Sequence, residues 1–286
     1  MRYTYTTRVL RLVALTLLAL VMATSCARQQ PTATSGISVP KTYTYEASDY
    51  SFSGPESIEG GVVTIGLKNM GKEPHHLQFF RINDTSKTDT IVTALKKEDL
   101  SVLAITTAPG GAGTVDPQGM AEVTMTMSEG QYLLACFVPG LDGQPHIAKG
   151  MLRTIRVDKP SGSVGTEPTA KVTVSLKDFT FDQPATLAAG KSVVKVVNAG
   201  PQLHEWNLLK LAPGKTVDDV GKFFSSPAGP PPFQSAGGFN GVQKDSAGYA
   251  LLNLTPGQYV AICNIPDPSK DQPHSALGMV KQFSVQ

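Results

Sequence analysis

The chain has 286 residues, 41% of them hydrophobic, enough to build two cores of ordinary size. Its net charge is only +2 and charged residues make up 17%, with no basic stripe or acidic tail. That excludes nucleic acid as a partner and argues against partners chosen by long-range charge steering.

The N-terminus predicts export. Arg2, Arg8 and Arg11 flank an apolar run from Leu12 to Met22 that is too short to span a bilayer comfortably. It ends in Ala23-Thr24-Ser25-Cys26, small residues before a cysteine. This resembles a bacterial lipoprotein signal, in which the cysteine is lipidated and becomes the new N-terminus, although Leu is more usual where Ala23 stands. The resemblance implies a signal peptide over 1–25, lipid on Cys26 and an extracytoplasmic protein anchored to a membrane. The alternative is a secretory signal with an incidental cysteine, which also places the mature chain outside the cytoplasm. Residues 26–40 are small and polar and predict a flexible tether.

From residue 41 the chain reads as short strands punctuated by Gly and Pro. Gly61 to Lys68 is rich in Val and Ile; Val123, Met125 and Met127 alternate with polar residues; Tyr132, Leu134 and Cys136 share one face of the following strand. Thr88 to Leu100 predicts one helix, with Ile91, Ala94 and Leu95 on one side. A second polar segment, 159–168, divides the remainder into halves 41–158 and 169–286 that repeat each other. Asp49-Tyr50-Ser51-Phe52 matches Asp178-Phe179-Thr180-Phe181, Asn69-Met70-Gly71 matches Asn198-Ala199-Gly200, and His75 matches His204, all at an offset of 129. Gly130-Gln131-Tyr132 and Cys136 match Gly257-Gln258-Tyr259 and Cys263 at 127, and His146 and Met151 match His274 and Met279 at 128. In the second half, Lys191 to Val197 is the corresponding strand, and Thr216 with Asp219 opens the corresponding helix as a capping-type pair. Such strands predict an all-β chain with a sandwich in each half.

The repeated residues are a thiolate, two imidazoles and a thioether, soft and borderline donors that suit copper. His75, Leu77 and Phe79 share a strand face, as do His204, Trp206 and Leu208, so each early His points into an apolar interior. A core His satisfied by a backbone carbonyl is the alternative for either one alone. His76 and its counterpart Glu205 fall on the other face, and His76 is expected to face solvent. Met125 and Met127 read as core fillers, whereas Met151 and Met279 are set apart only by their spacing from His146 and His274. A Cys136–Cys263 disulfide is disfavoured, because the two thiols occupy equivalent buried strands in separate halves.

Asn-x5-His, Gly-Gln-Tyr-x3-Cys and Cys-x2-Pro leading to His-x4-Met resemble the cupredoxins, the blue-copper β-sandwich family. The resemblance covers both halves and implies tandem Greek-key sandwiches, each with a short inserted helix and up to one copper. Carried over by position, the ligands are His75, Cys136, His146 and Met151 at the first site. At the second they are His204, Cys263, His274 and Met279. Nine residues separate Cys136 from His146 and ten separate Cys263 from His274, longer than in plastocyanin-like carriers and closer to the type 1 domain of copper nitrite reductases. Pro139, Pro266, Gly150 and Gly278 are expected to restrict these loops.

Five His in total leave only His76 after both sites are supplied, too few for a second, catalytic copper centre. The expectation is therefore a protein that is not an enzyme and carries single electrons between extracytoplasmic redox proteins. The alternatives are copper storage or delivery, in which the same ligands hand metal on, and a metal-free binding module with this fold.

Overall fold

The computed structural model describes residues 38–286. The predicted signal peptide, Cys26 and most of the tether lie outside the described residues. The repeat seen in sequence is a repeat in structure. The first half forms strands Lys41–Ser48, Ser51–Ser53, Ser57–Glu59, Gly61–Asn69, Gln78–Ile82, Thr106–Gly110, Met120–Met127, Gly130–Ala135 and Leu152–Asp158. The second half repeats them as Val172–Lys177, Thr180–Asp182, Thr186–Leu187, Gly190–Asn198, His204–Leu211, Phe233–Val242, Ala247–Leu254, Gly257–Ile262 and Val280–Val285. The molecule is an all-β sandwich of two large sheets, with short helices.

Both sheets run through both halves. In the eight-stranded sheet Ala247–Leu254 pairs with Met120–Met127, placing Tyr249 opposite Thr124 and Ala250 opposite Val123. In the ten-stranded sheet Phe233–Val242 meets Thr106–Gly110 through Val242 and Pro109. Side chains reinforce this junction: Gln78 Nε2 donates to Gly241 O (2.9 Å), and Asn207 Oδ1 and Gln243 Oε1 accept from the N–H of Thr114 and Ala108 (3.0 Å each). Alternate residues of each strand fill one continuous core between the sheets, among them Tyr45, Ile65, Phe79, Leu134, Val194, Trp206 and Tyr259. Met125 and Met127 pack there as well.

The outer face of the ten-stranded sheet is also covered. Helix α1 (Thr88–Lys96) lays Ile91 and Leu95 on Phe80, Ile82 and Leu133, and helix α2 (Val217–Ser225) lays Val220 near Leu209 and Val260. α1 stops short of the predicted Leu100 because Glu98 adopts a left-handed conformation (φ 55°), after which Asp99 caps a separate 3-10 turn over Leu100–Ala104. α2 begins as its sequence predicts, with Thr216 and Asp219 closing a reciprocal capping box. One expectation is corrected: His76 does not face solvent. It is buried, as is Glu205, with the start of the loop after each cysteine against it: His76 meets Phe137 and Glu205 meets Asn264.

Candidate metal centres

Each site is assembled from four segments. Asn69 is fully buried at a strand end, where its Oδ1 accepts from Gly71 N (2.8 Å) and its Nδ2 donates to the carbonyls of Glu73 and Val115. Asn198 repeats these bonds with Gly200, Gln202 and Val242. The turn so formed brings the backbone against the imidazole that follows it. A Cβ on Gly71 would lie 2.7 Å from His75 Nε2, and one on Gly200 would lie 2.8 Å from His204 Nε2, so this part of the repeated motif needs glycine.

Strand Gly130–Ala135 delivers Cys136, and Gly257–Ile262 delivers Cys263. The loop after each cysteine returns the second His on a helical turn, with Lys149 N bonded to His146 O and Leu277 N to His274 O. Gly150 and Gly278 end that turn with φ of 102° and 107°, which lets Met151 N and Met279 N also reach the His carbonyl. Met151 and Met279 are fully buried at the foot of the loop, and their carbonyls accept from Cys136 N (3.3 Å) and Cys263 N (3.2 Å). The extra residue of the second loop is taken up in a small hairpin, Pro266–Asp267 against Gln272–Pro273.

These segments converge on two buried triads, His75/Cys136/His146 and His204/Cys263/His274, each with its candidate ligand atoms within 4.8 Å of one another. At the first, His75 Nδ1 lies 3.0 Å from His146 Nδ1, and Cys136 Sγ lies 3.9 and 3.5 Å from those nitrogens. At the second, His204 Nδ1 lies 3.1 Å from His274 Nδ1, and Cys263 Sγ lies 3.4 Å from the latter. All four rings and both sulfurs are inaccessible to solvent, and the two cysteines are free thiols.

The outer nitrogens fix what the inner ones present. His75 Nε2 meets Asp49 Oδ1 (2.8 Å), His146 Nε2 meets Glu73 Oε2 (2.9 Å), His204 Nε2 meets Asp178 Oδ1 (2.7 Å) and His274 Nε2 meets Gln202 Oε1 (3.0 Å). Each partner atom is an acceptor, so Nε2 carries the hydrogen and Nδ1 turns a lone pair inward. Burial holds the four rings below the ordinary His pKa, His274 down to about 4, where burial is joined by the charge of His204. Burial also pushes the Cys136 thiol up to about 12 and Cys263 well above the usual thiol range. Two lone pairs and a sulfur therefore meet in a dry space with no donor between the nitrogens. A soft cation suits that donor set: it satisfies both nitrogens and makes the thiolate the favoured form. Backbone N–H groups of His76 and Glu205 already point at the two sulfurs from 3.5 Å.

Sequence reasoning missed the supporting groups. Asp49 and Asp178 are repeated in register, and that repetition was the available signal. Glu73 and Gln202 differ from each other and gave none. His76 Nε2 accepts from Phe137 N (2.8 Å) and Glu205 Oε1 from Asn264 N (2.7 Å), so these unlike residues do one job, holding the peptide next to the cysteine. Tyr50 covers His146 with ring centroids 4.8 Å apart, and Phe179 covers His274 at 5.3 Å.

No protein-family profile matches the chain, and no curated protein matches it in sequence. Solved structures do. Dithionite-reduced auracyanin from Roseiflexus castenholzii is 15% identical, covering 42% of this chain and 98% of that one with a TM-score of 0.31. Auracyanin A, a blue copper protein from Chloroflexus aurantiacus, is 19% identical, covering 42% and 99% with a TM-score of 0.30. A multicopper oxidase is 15% identical, covering 86% of this chain and 88% of its own length with a TM-score of 0.26. The expectation that the chain is not an enzyme is corrected: an oxidase is among these matches, and counting histidines excludes only a further copper centre made of imidazoles.

Proposed function

We propose that this chain is a copper protein that carries single electrons through two type 1 sites. We further propose that it works outside the cytoplasm, tethered to a bacterial membrane through lipid on Cys26, between other extracytoplasmic redox proteins. One observation carries the copper reading: two buried His/Cys/His triads whose lone pairs converge because carboxylates or an amide hold the outer ring nitrogens. Copper bound there supplies a one-electron couple in which thiolate suits the reduced ion and imidazole the oxidised one. Met151 and Met279 are the candidate weak fourth ligands.

The protein's own part is to keep the cage still. Asp49, Glu73, Asp178 and Gln202 fix ring orientation, while His76 and Glu205 pin the peptide after each cysteine. Complete burial of the rings excludes water, which limits reorganisation when charge changes. The same rigidity argues against copper delivery, because a ligand handed to an acceptor has to be reachable and free to turn.

The test is to load the full-length protein with Cu(II), count copper per chain and record its visible spectrum through cycles of reduction and oxidation with a Cu(I) chelator present. Two coppers, an intense thiolate-to-copper band, and bleaching and recovery with copper retained are expected. A colourless protein without stoichiometric copper sinks the proposal. Loss of Cu(I) to the chelator on each reduction would replace the carrier with a delivery protein.

A further inference from the structure

The two triads have the same donors and differ in what stands behind one ring. At the first site both outer N–H groups meet carboxylates, Asp49 behind His75 (2.8 Å) and Glu73 behind His146 (2.9 Å). At the second, Asp178 stands behind His204 (2.7 Å), but the equivalent of Glu73 is Gln202, whose amide oxygen meets His274 (3.0 Å). Both groups are held in place. Glu73 accepts on its other oxygen from the Tyr50 hydroxyl (2.9 Å), a bond Phe179 has no hydroxyl to make. Gln202 Nε2 donates to Asp267 (3.0 Å) and Asp178 (3.5 Å), which leaves its oxygen facing the ring.

Other charges stand one group further away. Lys149 bonds the Tyr50 hydroxyl and Asp142, Lys270 lies over the Phe179 ring, and Asp267 bonds Gln202; the charges of Lys149 and Asp267 act on His146 and His274 through space, without a bond to either ring. Glu205 is buried against Asn264 N and touches no ligand imidazole. A carboxylate bonded directly to a ligand ring raises its basicity and favours the more highly charged metal ion, whereas an amide offers only a dipole.

Resting on the copper reading above, we propose that Glu73 and Gln202 rank the two sites, the first having the lower reduction potential and the second the higher. The first electron taken by the fully oxidised protein from a one-electron donor therefore resides at the Cys263 site, with no bond or proton exchanged. Glu73 and Gln202 are positioning residues: each acts on the metal through a histidine.

The experiment uses copper-loaded full-length protein in which Cys263→Ala leaves only the first site and Cys136→Ala leaves only the second. Spectroelectrochemical titration of the thiolate-to-copper band should show the second site reduced at the higher potential. Glu73→Gln should then raise the first site's potential, and Gln202→Glu should lower the second's, each by about tenfold in the reduction equilibrium, ~59 mV for one electron. Adding Glu205→Gln beside Cys136→Ala should leave the order unchanged. If Glu73→Gln fails to hold copper, Gln202→Glu carries the test alone. A first site at equal or higher potential, an order reversed by Glu205→Gln, or no shift from the exchanged residues overturns the ranking while leaving the copper reading intact. Absence of the band from both single-site proteins overturns the copper reading, and the ranking with it.

Discussion

The two halves of this molecule hold the same cage by different means. The turn before the first imidazole and the carboxylate behind that ring are identical: Asn69 and Asn198, Gly71 and Gly200, Asp49 and Asp178. The groups that set local charge are not, with Glu73, His76 and Tyr50 on one side answered by Gln202, Glu205 and Phe179 on the other. The geometry around the first imidazole is kept residue for residue, while at the second ring and the cysteine peptide charge is exchanged because an alternative acceptor fits. The largest expected effect tests whether the cages are equivalent as metal sites. Cys136→Ala or Cys263→Ala should each remove one copper and its visible band completely and leave the other, as read by copper quantification and optical spectra. Loss of both coppers from either change would mean that the sites depend on each other for assembly.

The next effect asks whether the halves are independent as folding units. Their sheets are continuous and their cores are one, so unfolding should be a single transition despite the duplication. Trp206 is fully buried, with its Nε1 donating to Gln183 Oε1 (2.7 Å); Leu77, its counterpart, is buried without a polar bond. Trp206→Ala should cost ~3–5 kcal/mol and Leu77→Ala ~2–5 kcal/mol, each lowering one shared denaturant midpoint. Two separated transitions, with only one moved by each change, would show that the junction at Tyr249 and Thr124 carries little energy.

How much of this could be read from the sequence follows from which facts are local. Spacing from Cys136 to His146 and Met151, repeated from Cys263, is local grammar, and strand alternation put His75 with Leu77 and Phe79 in the core. Alternation also put His76 on the opposite face, but whether that residue meets water depends on Phe137, which the chain brings against it from much later in the sequence. The capping box of α2 was legible because Thr216 and Asp219 are three residues apart. The early end of α1 was not, because Glu98 takes a left-handed turn that nothing in its side chain demands. Pairing of the two halves edge to edge was hidden for a different reason: strands that are copies of one another offer the same pattern to many neighbours.

The unlike pair His76 and Glu205 predicts opposite pH responses in the metal-stripped protein. Burial, with the charges of His146 and His75, pushes His76 down to about 3, so the unfolded chain binds its proton first as pH falls. Stability is thus lost as pH drops from about 6.5 towards 3. Burial pushes Glu205 up to about 7, so the folded state holds that proton longer and stability is lost as pH rises from about 4.5 to 7. Each contribution is on the order of a few kcal/mol. Denaturant midpoints followed across pH should flatten on the acid side in His76→Gln and on the neutral side in Glu205→Gln. Asp49 and Glu73 also sit below their ordinary range and add acid-side losses common to both variants, so the difference between the curves isolates the pair. Curves that change identically would break the contrast.

The smallest contrast lies furthest from the sites. α2 opens with a reciprocal cap, Thr216 N donating to Asp219 Oδ2 (2.9 Å) and Asp219 N to Thr216 Oγ1 (3.3 Å), whereas Lys87 at the start of α1 makes no side-chain cap. Thr216→Ala should lower stability by ~1 kcal/mol and Lys87→Ala by less than ~0.5 kcal/mol. Neither should move the visible band. α2 covers the outer face of the sheet near Leu209 and Val260, while the triad of its half faces the opposite side of those strands. A spectral change in Thr216→Ala at full copper loading would mean that the outer layer reaches the cage through Glu205, and the separation drawn between fixed geometry and exchangeable charge would then have to include the helices.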